Sequence, residues 1–193
     1  YLSRKGLLLA QLGQVDAAIA AVEAACCNPT GNRFEADLML GLRIVSGNRG
    51  ALESIANDTG GSIWAPAQRA QAHLALRNLP AALQAYAEDP PDPRGSINDL
   101  VNDEWVWCLP HAVNHAHLRI LTGDESGRGA LQALIVRAEE LRADGIVNAD
   151  AVYWVASAHV VMGETGRALE ILEEAVRRGW RHAWWARHDW NWA

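Results

Sequence analysis

Three histidines fall within one seven-residue stretch, His111, His115 and His117, and imidazole is the side chain by which helices most often hold a transition metal. His111 and His115 are four residues apart, so on a helix they share one face, as paired zinc ligands do. A third ligand is missing. Asn114 and Arg119 offer nothing to neutralise a cation, and Asp103 and Glu104 lie across Pro110. These residues therefore read as packing or as the lining of a groove, and no metal is assigned. The stretch Gly123-Asp-Glu-Ser-Gly-Arg-Gly129 is glycine-rich but acidic. It has no Lys-Ser/Thr after its last glycine and no strand before it, so it fits neither a phosphate loop nor a dinucleotide fingerprint and reads as a turn. Glu139-Glu140 and Glu173-Glu174 are adjacent carboxylates on amphipathic patterns, where such pairs form a solvated face. No nucleophile elbow and no His-Glu-x-x-His occurs. Catalysis has no support in these residues, and the chain is read as non-enzymatic and without a cofactor.

The elements that must position these side chains are clearest over 149–178. Val152, Val155, Ala156 and His159 recur at spacings of three and four, the apolar stripe of a helix. Gly163 ends that helix and Thr165 is placed to cap the next, whose apolar face holds Ala168, Leu169, Leu172, Ala175 and Val176. Two amphipathic helices cannot bury both faces alone, so the hairpin needs neighbours. The same pattern runs through the chain in units of about 1–28, 33–57, 63–88, 98–143 and 149–178. In the first, Leu2, Leu8, Leu9 and Leu12 precede Gly13, and Val15, Ala18, Ile19, Val22 and Ala25 follow it. In the second, Phe34, Leu38, Leu42 and Val45 lead to Gly47, 34 residues after Gly13. The third opens at Pro66 and has Arg77 or Asn78 where the others have glycine. The fourth predicts a helix over 103–121, kinked or broken at Pro110, a stretched turn over 123–129, and a second helix over 130–141. The breaker at 89–96, with its three prolines, reads as a loop inside one domain of 193 residues. The segment 179–193 holds five of the nine tryptophans and reads as a cap, in which Trp180, Trp184 and Trp185 cover the last unit.

Composition agrees with an all-α fold: half the residues are apolar, and the β-branched ones are too scattered for period-two strands. No apolar run approaches the ~18 residues of a membrane span, and no signal peptide is read at the start. The net charge of −6 argues against nucleic acid, which requires a Lys/Arg footprint; the one basic concentration, Arg177, Arg178, Arg181 and Arg187, is small. Three cysteines, two of them adjacent, make no disulfide framework, which favours a soluble, cytoplasmic setting over a periplasmic one without excluding the latter.

With Gly163 at the turn and small residues at Ala156, Ala168 and Ala175, the last hairpin resembles a tetratricopeptide repeat (TPR), a helix-turn-helix unit of about 34 residues that stacks into an array. His159 stands where an aromatic is usual. The ending resembles the segment that follows the last TPR in bacterial multidomain signalling proteins. The resemblance implies a single TPR-like domain, a right-handed α–α superhelix of about five hairpins, whose leading helices line a concave groove that holds a peptide or partner protein. Counted from each turn, the groove positions are Ser3 and Leu7, Asp37 and Gly41, Gln68 and Gln71, Asn114 and His117, and Tyr153, Trp154 and Ser157. Of these, Gln68, Gln71, Asn114, His117, Tyr153, Trp154 and Ser157 are the candidate site. The basic-and-asparagine set with which chaperone-binding TPRs clamp a C-terminal carboxylate is absent from these positions. Tyr153, Trp154 and either Trp64 or Trp105 are candidate anchors, with the core of eroded repeats as the alternative place for them; Trp107 reads as core. The expected function is a protein-interaction scaffold within a larger bacterial protein. A sensor binding a small molecule near Trp154, His117 and Gln71 and controlling an attached effector is the second expectation. A homodimer through the Trp-rich segment is the third.

Overall fold

The computed structural model describes residues 2–26, 33–58, 65–91, 108–145 and 148–192, of which the side chains of Cys26, Arg33, Phe34 and Cys108 are excepted. Every regular element among them is helical, which the Ala- and Leu-rich, strand-poor composition favours. The helices are α1 (Leu2–Gln11), α2 (Val15–Cys26), α3 (Arg33–Val45), α4 (Arg49–Ala56), α5 (Pro66–Ala75), α6 (Leu79–Glu88), α7 (Cys108–Leu121), α8 (Ser126–Ala143), α9 (Ala149–Val161), α10 (Thr165–Arg177) and α11 (Ala183–Ala186), with a 3-10 turn at Trp190–Trp192. None of the described helices is long and apolar enough to cross a membrane.

Among the described residues, five hairpins close through one local device. A residue with positive φ ends the leading helix; its N–H bonds the carbonyl three residues back, and the next N–H bonds the carbonyl five back, which satisfies two of the helix's orphan acceptors. At the first turn these are Gly13 N to Ala10 O and Gln14 N to Leu9 O, both 2.9 Å. At the last they are Gly163 N to Val160 O and Glu164 N to His159 O, again 2.9 Å. The same pair recurs at Gly47, Arg77 and Gly123. Arg77, at φ 60°, is the one non-glycine with positive φ among the described residues. Asn78 is then free to cap α6, its Oδ1 accepting from Ala81 N at 3.4 Å, as Asn48 caps α4 and Asn148 caps α9.

The chain forms two compact units, residues 1–89 with 182–190 and residues 90–181 with 191–193. The division falls at Asp89 and Pro90, inside the stretch that the sequence suggested was a loop within one domain; residues 92–96 of that stretch lie outside the described ones.

In the first unit α1 packs on α2 and α5 on α6, while the leading helices α1, α3 and α5 meet in succession. α1 approaches α2 closely because residue 6 is glycine: a Cβ there would lie 2.5 Å from Val22 Cγ2 and 3.2 Å from Ala18 O. The face that α1 buries is Ser3, Gly6 and Ala10, whereas Leu2, Leu8 and Leu12 are exposed. The expected leucine stripe is thus on the wrong side, because close helix contact selects the small side chains. Short α4 is held by an apolar cluster of Leu40, Leu52, Ile55, Ala56 and Ala72 that ties α3, α4 and α5 together. Arg43 pairs with Glu23, and Arg69 with Glu88, between neighbouring helices.

In the second unit α7 pairs with α8 and α9 with α10, and α9 also packs on α7 and α8. Pro110 stands in the first turn of described α7, where its missing N–H is not needed; residues 103–107 of the expected helix lie outside the described ones. The stretched turn expected over 123–129 is shorter, because α8 already starts at Ser126 and Gly127 sits where a Cβ would run into the Ala116 carbonyl. α10 buries Ala168, Ile171 and Ala175 and leaves Leu169 and Val176 exposed, so its buried stripe is narrower than expected. Thr165 caps nothing: it is the first residue of α10, and the preceding Glu164 turns its carboxylate to His159 Nδ1 at 2.5 Å. The carboxylate pairs are more than a solvated face, since Glu139 reaches Arg167 at 3.3 Å and Glu174 reaches Arg142 at 3.6 Å, each between α8 and α10.

Two outcomes follow from the turns. Arg77→Gly removes the cost of a side chain in the left-handed region and is expected to raise stability by about 1 kcal/mol. A urea midpoint that falls would contradict that account. Asp124, at the α7–α8 turn, accepts from the Ser126 hydroxyl and backbone N–H and from Arg119 Nε at 2.8 Å. Those bonds, the Ser126 hydroxyl first, pull its carboxyl from the ordinary 3.8 to about 2. A lowered folded pKa means stability present above pH 4 and lost as pH falls toward 2. The difference in urea midpoint between wild type and Asp124→Asn should therefore shrink over that window; a constant difference would show the charge to be idle.

Candidate functional site

The helical spacing of α7 and α9 carries the site in the second unit. On α7, Asn114 and His117 are three apart; on α9, Tyr153 and Ser157 are four apart; each pair therefore shares a face. Gly179, at φ 106°, closes α10 with the same two-bond turn, Gly179 N to Val176 O at 3.1 Å and Trp180 N to Ala175 O at 2.9 Å. That turn sets the Trp180 ring against Tyr153 with centroids 4.4 Å apart and planes 7° from parallel. Asn114, Tyr153 and Ser157 are 1%, 1% and 0% exposed.

What covers them is the chain's own Asn191 and Trp192. Asn191 Nδ2 donates to Asn114 Oδ1 at 2.7 Å, so its Oδ1 faces His117 Nδ1 at 2.9 Å. An amide oxygen only accepts, hence His117 carries its proton on Nδ1. One side-chain amide is thereby read at both ends. Next to it, Trp192 Nε1 donates to Ser157 Oγ at 2.8 Å, and the indole lies 19° from the Tyr153 plane at 6.3 Å. The arrangement binds a carboxamide and an indole together, using one acceptor, one ring donor, one hydroxyl and an aromatic face.

The other expected positions are distributed as follows. Trp154 is buried and meets Tyr153 edge-on at 5.1 Å. Gln68 and Gln71 belong to the first unit. Gln68 is buried and donates to the equally buried Asp37 at 2.8 Å, while Gln71 is half-buried. Trp180 covers the last unit as expected, but Trp184 and Trp185 of α11 do not: they belong to the first unit and lie over Gly41, where a Cβ would stand 3.5 Å and 3.7 Å from their rings and where the absence of a side chain leaves room for them. Ser3 donates to Glu35 at 2.5 Å. Trp64, Trp105 and Trp107 lie outside the described residues. His111 is buried, and burial, followed by Arg119, pulls the half-buried His115 below its ordinary pKa. No group of three or more His, Cys, Asp or Glu side chains among the described residues is placed to hold a metal. In the basic cluster, Arg178 pairs with Glu174 at 2.8 Å and Arg181 donates to the carbonyls of Val176 and Trp180.

Sequence reasoning missed Asn191 and Trp192 as partners of the leading helices, having assigned the segment to a cap. Their signal was the Trp190-Asn191-Trp192 run itself, a carboxamide set between indoles. No protein-family profile, no curated protein and no solved structure matches this chain.

Proposed function

We propose that this chain is a non-enzymatic, TPR-like helical-repeat scaffold, a right-handed solenoid of about five hairpins that binds a protein or peptide along the concave face of its leading helices, as a module of a larger bacterial protein. Five turns of one geometry support the repeat reading, as do the contacts between successive leading helices within each unit. The observation that carries the binding reading is that, in the second unit, the leading-helix face already holds a short piece of polypeptide by side-chain recognition. A surface that reads one segment through paired donors and acceptors is chemically equipped for another. The net charge of −6 favours a protein partner over nucleic acid.

Selection of a random displayed peptide library on the immobilised full chain tests this. Sequences should be enriched whose affinity falls by roughly tenfold, the size of one good contact, in Gln71→Ala or His117→Ala. Selected peptides that bind both variants like the wild type would contradict the groove assignment, as would the absence of enrichment.

A further inference from the structure

The segment over the second unit is unusually well read for a mere cover. A cap needs only apolar area, yet here both heteroatoms of one carboxamide and the single N–H of the adjacent indole are each answered by a side chain from α7 or α9. Three residues of 3-10 geometry, Trp190–Trp192, carry this, and Trp192 remains half-exposed. A 3-10 turn of three residues is too short for a ladder of backbone bonds, so its side-chain contacts are what hold it.

We infer that the face formed by Asn114, His117, Tyr153 and Ser157 is a reader for an Asn-Trp pair, and that Asn191-Trp192 is its built-in occupant, displaced when a partner protein presents the same pair. This rests on the scaffold reading above and names its partner chemistry and its regulation. A carboxylate in place of the carboxamide loses the bond to Asn114 Oδ1, because it has no N–H to give; a ring lacking the indole N–H loses the bond to Ser157 Oγ. Held on the same chain, the resident segment competes at an effective concentration of the order of millimolar, so the wild type is the inhibited form.

The probe is the acetylated, fluorescein-labelled hexapeptide His-Asp-Trp-Asn-Trp-Ala, the sequence of 188–193, titrated against the full chain. Asn191→Asp keeps the shape of the resident segment but cannot donate to Asn114, and is expected to bind the probe roughly tenfold more tightly than the wild type. The same peptide with Asp in place of its Asn should lose roughly that factor. Equal binding by variant and wild type overturns the reader, as does equal binding of the two peptides. So does loss of helical signal in Asn191→Asp, which would make the segment core. A second measurement needs no variant: hydrogen exchange at the Trp192 indole of the wild type should rise in millimolar probe, and an unchanged rate overturns the displacement. Library-selected partners whose affinity ignores Asn191→Asp would remove the reader and leave the scaffold standing. Probe binding by Asn191→Asp with no sequence enriched from a library selected on that same variant would leave the reader standing and remove the wider groove.

Discussion

A helix that carries Val, Ala, Tyr and Trp on every side cannot leave any side in water, and α9 is such a helix: every residue from Ala151 to His159 is buried. Most amphipathic helices spend one stripe on the core and turn the rest to solvent. α9 has α10 on one flank and α7 and α8 on others, and Tyr153 and Ser157 are covered further by indoles. Trp180 and Trp192 supply that cover. The requirement explains why the turn after α10 is as tightly closed as the hairpin turns, since Gly179 must aim Trp180 at Tyr153.

Covering α9 brings polar groups into the same dry layer, and their pairing decides which segment fits. Burying an aromatic side chain is worth about 2 to 3 kcal/mol, whereas one intramolecular hydrogen bond contributes about 1 net. Area therefore supplies the strength. A buried polar group that loses a hydrogen bond costs about 1 to 3 kcal/mol, so a cover that answers Asn114 and Ser157, both buried, is favoured over one that does not. In this contact the indoles supply the area and the carboxamide supplies the paired hydrogen bonds.

The helical class and the positions of the turns were legible because both depend on local chemistry: apolar residues at three- and four-residue spacing, then a glycine that can take positive φ at 13, 47, 123 and 163. At the third turn the sequence left Arg77 and Asn78 as alternatives for the glycine position, and the structure gives the left-handed φ to Arg77, imposed by the flanking helices and not by its own preference. Faces were less legible. On α1 the leucines suggested the buried side, yet Gly6 determines it through backbone proximity to α2, which no hydropathy pattern reports. On the site, Asn114, His117, Tyr153 and Ser157 were found by counting back from the turns. Their occupant was not, because a contact across 77 residues between two asparagines leaves no periodic trace in the chain.

The direct test of the account is a double-mutant cycle on Asn114 and Asn191, read by urea unfolding of the full chain. If one carboxamide recognises the other, Asn114→Ala and Asn191→Ala each destabilise, the pair together costs less than the sum, and the coupling is about 1 kcal/mol or more. Additivity within about 0.3 kcal/mol would mean that the two side chains do not meet, and that the leading-helix face is not what holds Asn191 in place.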